Sequence, residues 1–180
     1  MWEKRLDGDA GNDCLVSVDG TDFQIRQPTK FSKVWYSHKF KGPGLRYEVG
    51  VSIAKGKVVW IHRPFECGMW PDIKIFRDSL LSHLGTNERV EADDGYIGDA
   101  PRHLKCPPSF ANPEKNKKMQ SRVQSRHETA NKRFKQWGCL KQIFCHDIRK
   151  HSDVFQAVAV ITQIALQLGE PCFVSSRLQC

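Results

Sequence analysis

The chain has 180 residues and a mass of 20.6 kDa, about one domain by length. Its 39% apolar and 27% charged residues exclude collagen-like, low-complexity and wholly disordered classes. The longest apolar stretch, 154–168, is too short for a bilayer and carries Gln156, Thr162 and Gln163. With no apolar leader in the first 13 residues, a soluble intracellular protein with no membrane partner is expected.

Lys and Arg outnumber Asp and Glu 28 to 20, a net charge of +8. Eleven basic residues fall between Arg102 and Lys141 against only Glu114 and Glu128, a local +9, and the rest of the chain sums to −1. Such a block suits a polyanionic partner, nucleic acid ahead of a membrane surface. It equally suits a solvated, Lys-rich loop and helix face.

In chain order, Leu15–Asp19 is short, apolar and β-branched, and reads as a buried strand stopped by Asp19-Gly20. Gly42-Pro43-Gly44 reads as a loop. Residues 46–53 and 57–61 form a β-hairpin across Ala54-Lys55-Gly56. Pro71 suits a first helical turn; Ile73, Phe76, Leu80, Leu81 and Leu84 follow at helical spacing, and Gly85 closes that helix. Arg89–Asp93 is the next strand and Arg102–Cys106 a shorter one. Ser109–Gln120 is polar and Lys-rich, and is expected to be a mobile loop. Ser121–Trp137 is predicted as a helix with Val123, His127, Ala130, Phe134 and Trp137 on its apolar stripe, and Asp153–Leu168 as a second helix. This order gives an α/β protein whose mixed sheet is flanked by helices. Cys139, Cys145 and His146, with His103 or Cys106, fit no common zinc spacing; plain thiols are expected.

Three acids stand out by position. Asp19 and Asp93 end their predicted strands, at the rim of the sheet. Glu128 lies one residue, about 100° of rotation, from the His127 stripe, which sets its carboxylate between core and surface. Brought together, carboxylates about 4 Å apart repel by roughly 4 kcal/mol at an effective dielectric near 20. Divalent cations remove that cost, and hard oxygen ligands select Mg²⁺ or Mn²⁺. Paired ions of this kind suit phosphodiester cleavage or transfer.

Four local motifs add to this. The run Ser17-Val18-Asp19-Gly20-Thr21-Asp22, the loop Gly68-Met69-Trp70-Pro71-Asp72, the run Ala92-Asp93-Asp94-Gly95-Tyr96, and Ser125-Arg126-His127-Glu128-Thr129 with the later Phe134-Lys135 resemble the DDE superfamily endonuclease domain of PIF/Harbinger-type transposases. The resemblance covers residues 14–168, leaving 1–13 and 169–180 as tails. It implies an RNase H-like fold and a two-metal site holding Mg²⁺ or Mn²⁺, with Asp19, Asp93 and Glu128 as catalytic and metal-binding residues. Asp72 matches a further acid of the family and is an accessory candidate. Asp22 and Asp94 are neighbours open to the same roles.

Lys39, Lys41 and Arg46 lie near the family's basic segment; there and at Arg126, Lys132 and Arg133, beside Glu128, DNA phosphate contact is expected. Trp35 and Trp70 are candidates for stacking on bases, Trp137 for core packing, and His127 for a core histidine. Intact relatives carry an N-terminal helical DNA-binding region, and 13 residues leave no space for a helix-turn-helix. Related systems use a Myb/SANT-like partner for DNA recognition and nuclear entry, so the resemblance implies DNA as substrate, such a partner, and a nuclear location, or a cytoplasmic one without the partner. Two rival readings remain open: a catalytically inactive, domesticated or truncated remnant that binds DNA or protein, and a nuclease acting on RNA–DNA hybrids.

Overall fold

The sheet is built around one long strand. The computed structural model describes residues 1–7, 14–28, 30, 32–106 and 112–169. Strand β1 runs Cys14–Gln24, straight through the Asp19-Gly20 pair that was expected to stop it. It pairs antiparallel with β3 (Gly42–Ser52) from Val16↔Ser52 to Gln24↔Gly44. Gly20 therefore marks a close approach of another element, not a turn, and Gly42-Pro43-Gly44 belongs to the start of β3 rather than to a loop.

On the other edge of β3 lie β2 (Tyr36–Ser37), β5 (Phe65–Glu66) and β4 (Val58–Ile61). The β3–β4 hairpin turns through 54–56 as expected, with Gly56 at φ 64°, a left-handed conformation that glycine adopts freely. On the far side of β1, β6 (Arg89–Glu91) and β7 (Leu104–Lys105) pair in parallel. The described sheet is thus mixed and seven-stranded, with central order β2-β3-β1-β6-β7.

Alternation along β1 divides the core. Val16 and Val18 join Val90, Ala92, Phe76, Leu80, Tyr96 and Leu104 on one face. Phe23 joins Tyr47, Val49, Val51, Ala130, Phe134, Phe155 and Val158 on the other. The first face is covered by α1 (Asp72–Asp78), the 3₁₀ turn Leu80–His83 and the 3₁₀ helix Asp94–Asp99. The single helix expected to run on to Leu84 breaks at Ser79 (φ −141°, ψ −65°). The tighter 3₁₀ turn that follows keeps Leu80 fully buried and is tied by Ser82 Oγ donating to the Ser79 carbonyl at 2.8 Å.

The second face is covered by α2 (Pro113–Phe134) and α4 (His151–Gln167), with the short α3 (Gly138–Lys141) between them. Helix α2 starts well before the expected Ser121, so 113–120 is helical and not a loop; 109–111 lie outside the described residues. Asn112 caps it, accepting from the Glu114 and Lys115 amides at 2.9 and 3.4 Å, with Pro113 in the first turn. Met119 extends the buried stripe of Val123, His127, Ala130 and Phe134 backwards. The helix ends at Phe134, and Trp137 caps α3 with 41% of its surface exposed, so it is not the core residue the stripe implied. Helices on both faces of a mixed sheet give the RNase H-like layout expected from the sequence.

Candidate active site

Asp19 lies within β1, on the same face as Ser17. Parallel pairing sets Ser17 opposite Glu91 of β6, so Asp19 and Asp93, each two residues further on, reach the same level of the sheet. Asp93 ends the β6 segment two residues after Glu91: its Oδ1 accepts the Gly95 amide at 3.0 Å and caps the 3₁₀ helix Asp94–Asp99. The expected strand stops short because this carboxylate takes up a backbone donor.

Asp72, the first residue of α1, joins them. A methyl group built on Gly20 would overlap Asp72 Oδ1, and one built on Gly95 would sit 3.1 Å from Asp93 Oδ1 and 3.4 Å from Asp72 Oδ2. Gly20 and Gly95 therefore leave the space in which the Asp72 carboxylate sits, against β1 and on the Asp93 side.

The electrostatics match this crowding. Burial, opposed by Lys39 and reinforced by Asp93 and Asp72, pushes the Asp19 carboxyl up to about 7. Burial also raises Asp72, against Arg46 and Lys39 and with Asp93. Asp93 is raised by burial and by Asp94, against the Gly95 amide. Lys39 is the cation common to all three, and its Nζ donates to the Gly20 carbonyl at 2.9 Å.

Asp22 is different. Its buried carboxylate accepts Arg46 Nε at 2.7 Å and Nη2 at 3.1 Å, and the Ser37 hydroxyl at 2.6 Å. Burial alone would raise it, but the Arg46 and Ser37 hydrogen bonds and the charges of Arg46 and Lys39 hold it below the ordinary carboxylate range. Asp22 is thus a paired structural acid. Asp94 is exposed, beside Asp93.

Glu128 lies on α2. His127 faces the sheet, its Nε2 3.0 Å from Ser17 Oγ, and Arg126 turns towards β6, donating to Glu91 Oε2 at 2.6 Å. Positions 126 and 128 lie about 200° apart around a helix, so Glu128 occupies the flank of α2 away from β6, and it is exposed rather than at the core boundary. Among the described residues, no three His, Cys, Asp or Glu side chains stand close enough together to hold a metal ion. That includes Cys139 and Cys145, which are exposed, and Cys14, Cys67 and Cys106, which are buried thiols; Cys172 and Cys180 lie outside the described residues.

The expected phosphate contacts separate in the same way. Lys41 and Lys132 are exposed and Arg133 is partly so. Arg46 is directed to Asp22 and Asp72, and Arg126 to Glu91, so neither guanidinium points freely to solvent. Glu91, which the sequence reading passed over, is buried and also accepts Arg122 at 2.8 Å. Its signal was the bare presence of an acid two residues before Asp93. Trp70 lies against Phe65 (centroids 4.5 Å) with Lys74 Nζ 4.1 Å from its ring, and Trp35 packs partly buried on the α2/α4 side of the core.

Can these acids hold a divalent cation? The donors are all carboxylate oxygens, the hard set that Mg²⁺ and Mn²⁺ prefer. Asp72 Oδ1 is buried without a hydrogen bond, with Arg46 Nη1 3.3 Å away as an ion pair only. A raised Asp19 flanked by two further acids lacks positive charge that a cation supplies. Asp19, Asp72 and Asp93 have the right donor chemistry but do not form a three-ligand group as they stand; Glu128 has the right chemistry on an exposed flank.

A family model described as DDE superfamily endonuclease matches residues 18–163. No curated protein and no solved structure matches.

Proposed function

The chain belongs to the DDE superfamily endonucleases, and from that premise we propose that it is a transposase-type, metal-dependent DNA endonuclease of the PIF/Harbinger kind. The observation that carries the proposal is the family match, supported by Asp19 and Asp93 reaching the same level of neighbouring parallel strands, both raised chiefly by burial.

In this reading Asp19 and Asp93 hold Mg²⁺ or Mn²⁺, Asp72 assists, and Glu128 completes the set from α2. The bound cations would activate a water or a 3′-hydroxyl and stabilise the leaving oxygen at phosphorus. Lys39 tempers the repulsion between the acids when they are ionised. The exposed basic residues of α2, with Lys132 and Arg133 near Glu128, bind the DNA backbone; that contribution weakens with salt. A Myb/SANT-like partner would supply sequence recognition and nuclear entry, and residues 14–168 form the catalytic domain.

Two observations favour a second reading: Glu128 is exposed, and no ready three-ligand group exists among the described residues. On that view the chain keeps the fold and binds DNA or protein without cutting.

Nicking of supercoiled plasmid in Mn²⁺ separates the two. The endonuclease reading expects nicking by the wild type, loss of at least 100-fold in D93N and E128Q, and undiminished DNA binding by both variants. No nicking by any of the three supports the remnant, and equal nicking by all three refutes the assigned acids.

A further inference from the structure

Along one edge, the pairing of β1 is interrupted. Strand β6 accompanies it only as far as Ser17↔Glu91, and Phe144 takes up the edge again at Ile25, exchanging hydrogen bonds with Gln24 and Arg26. Opposite Gly20, the Glu48 carbonyl turns away from β1 to accept the His62 amide. That cross-strand pair therefore exchanges no hydrogen bonds, and the Gly20 carbonyl points into the gap. Lys39 meets it there, its Nζ donating at 2.9 Å.

The turn 38–41 aims this lysine. It closes β2 onto β3 at Ser37↔Gly42, with Lys41 at φ 53°. The Ser37 hydroxyl donates to Asp22 at 2.6 Å and accepts the Lys39 amide at 3.2 Å. Phe40 of the same turn and Phe23 of β1 each have their ring centre 5.6 Å from Lys135 Nζ, which arrives from the C-cap of α2. The two lysines are thus neighbours over residues 20–23 of β1. Burial and then the Lys39 charge push the Lys135 ammonium down, against Asp22, and Asp22 is itself gripped by Arg46. Among the described residues neither ammonium forms an ion pair with a carboxylate. A partly buried pair of like charges in this state calls for an anion. Thr21, on the Asp19 face of β1 and 2% exposed, adds an Oγ1 that is buried without a hydrogen-bond partner.

We propose that Lys39 and Lys135 form a seat for a single backbone phosphate of the DNA strand that enters beside Asp19, with the Thr21 hydroxyl as a further donor. The seat rests on the reading of the chain as a DNA endonuclease, and on no bound cation. An ammonium is a point charge with rotatable donors, so two of them suit the oxygens of one phosphate. Removing one phosphate contact lowers the salt slope of DNA binding by about one.

The test is binding of a labelled DNA duplex to the full chain, in EDTA and across a range of salt. The variants are K39Q, K135Q, the double variant, charge-retaining K135R, and K55Q on the β3–β4 turn as a remote control. The proposal expects a salt slope lower by about one in the double variant, single losses that do not add, and wild-type behaviour in K135R and K55Q. A double variant that binds like the wild type overturns it. A slope lower by about two with additive losses overturns it too, since each lysine would then hold its own phosphate, and so does an equal loss in K55Q. Saturable binding of inorganic phosphate that disappears in the double variant while DNA binding stays intact would assign the seat to a free anion, which also overturns it. Should K135Q fail to fold, K39Q, at an exposed position, decides by itself. Neither cation nor cleavage enters this measurement, so absent nicking would sink the endonuclease reading separately from the seat.

Discussion

At the residue scale the proposed function turns on Asp19, whose ionisation would set when the site can act. Burial and the neighbouring Asp93 and Asp72 push its carboxyl up to about 7, with Lys39 pulling the other way. Cation binding requires the ionised form, so below that value protons compete with the cation and above it they do not. Mn²⁺-dependent nicking should therefore rise with pH up to about 7 and then level off. Removing the Lys39 charge in K39Q takes away the larger of the two influences that favour the carboxylate, the other being the Gly20 amide, and should move the midpoint upward by about 1 unit. A pH–rate profile on both proteins checks this; a profile that falls across the same range, or a midpoint moving down in K39Q, contradicts it. The opposite fate of Asp22, three residues along the same strand, shows how local the effect is: the Arg46 pair and the Ser37 hydroxyl make that acid a fixed anion.

At the scale of elements, α2 is fastened to the strands that carry the two aspartates. Ser17 meets His127, and Glu91 accepts both Arg122 and Arg126; each contact lies within two residues of Asp19, Asp93 or Glu128. The His127 ring is buried and its ionisation pushed down to about 3, chiefly by burial and then by Arg126, so it serves as a neutral partner of the Ser17 hydroxyl. In E91Q the Arg126 guanidinium, 12% exposed, loses its anion within a shielded interface. That should cost about 2 kcal/mol of stability, measured by urea unfolding; a change below about 0.5 kcal/mol would show that the contact does not fasten the helix.

Much of this layer was legible in the sequence. The β3–β4 hairpin, α4, and the buried stripe from Val123 to Phe134 follow from periodicity and turn residues. What escaped were places where one residue type carries two meanings. Asp19-Gly20 reads as a strand stop, yet its glycine is there to admit Asp72. The Lys-rich run before Ser121 reads as a loop, although Asn112-Pro113 is a helix start and Met119 its buried contact. The pairings of Arg46 and Arg126 could not be read at all, since they depend on acids 24 and 35 residues away brought close only by strand register.

For the whole molecule, the two faces of the sheet divide the work. One face packs α1 and the 3₁₀ helix Asp94–Asp99, which deliver Asp72 and Asp93; the other packs α2 and α4, of which α2 supplies most of the local basic excess and Glu128. The net charge of +8 draws a polyanion towards the molecule, while ionised Asp19, Asp72 and Asp93 would repel a phosphate unless cations intervene. This contrast makes cation binding the hinge of the account. The direct measurement is calorimetric titration of Mn²⁺, at pH 8 with a non-specific duplex present, into the wild type and the D19N/D93N double variant. The account predicts saturable binding by the wild type and its loss in the variant; identical isotherms, or no saturable binding by either protein, would contradict it.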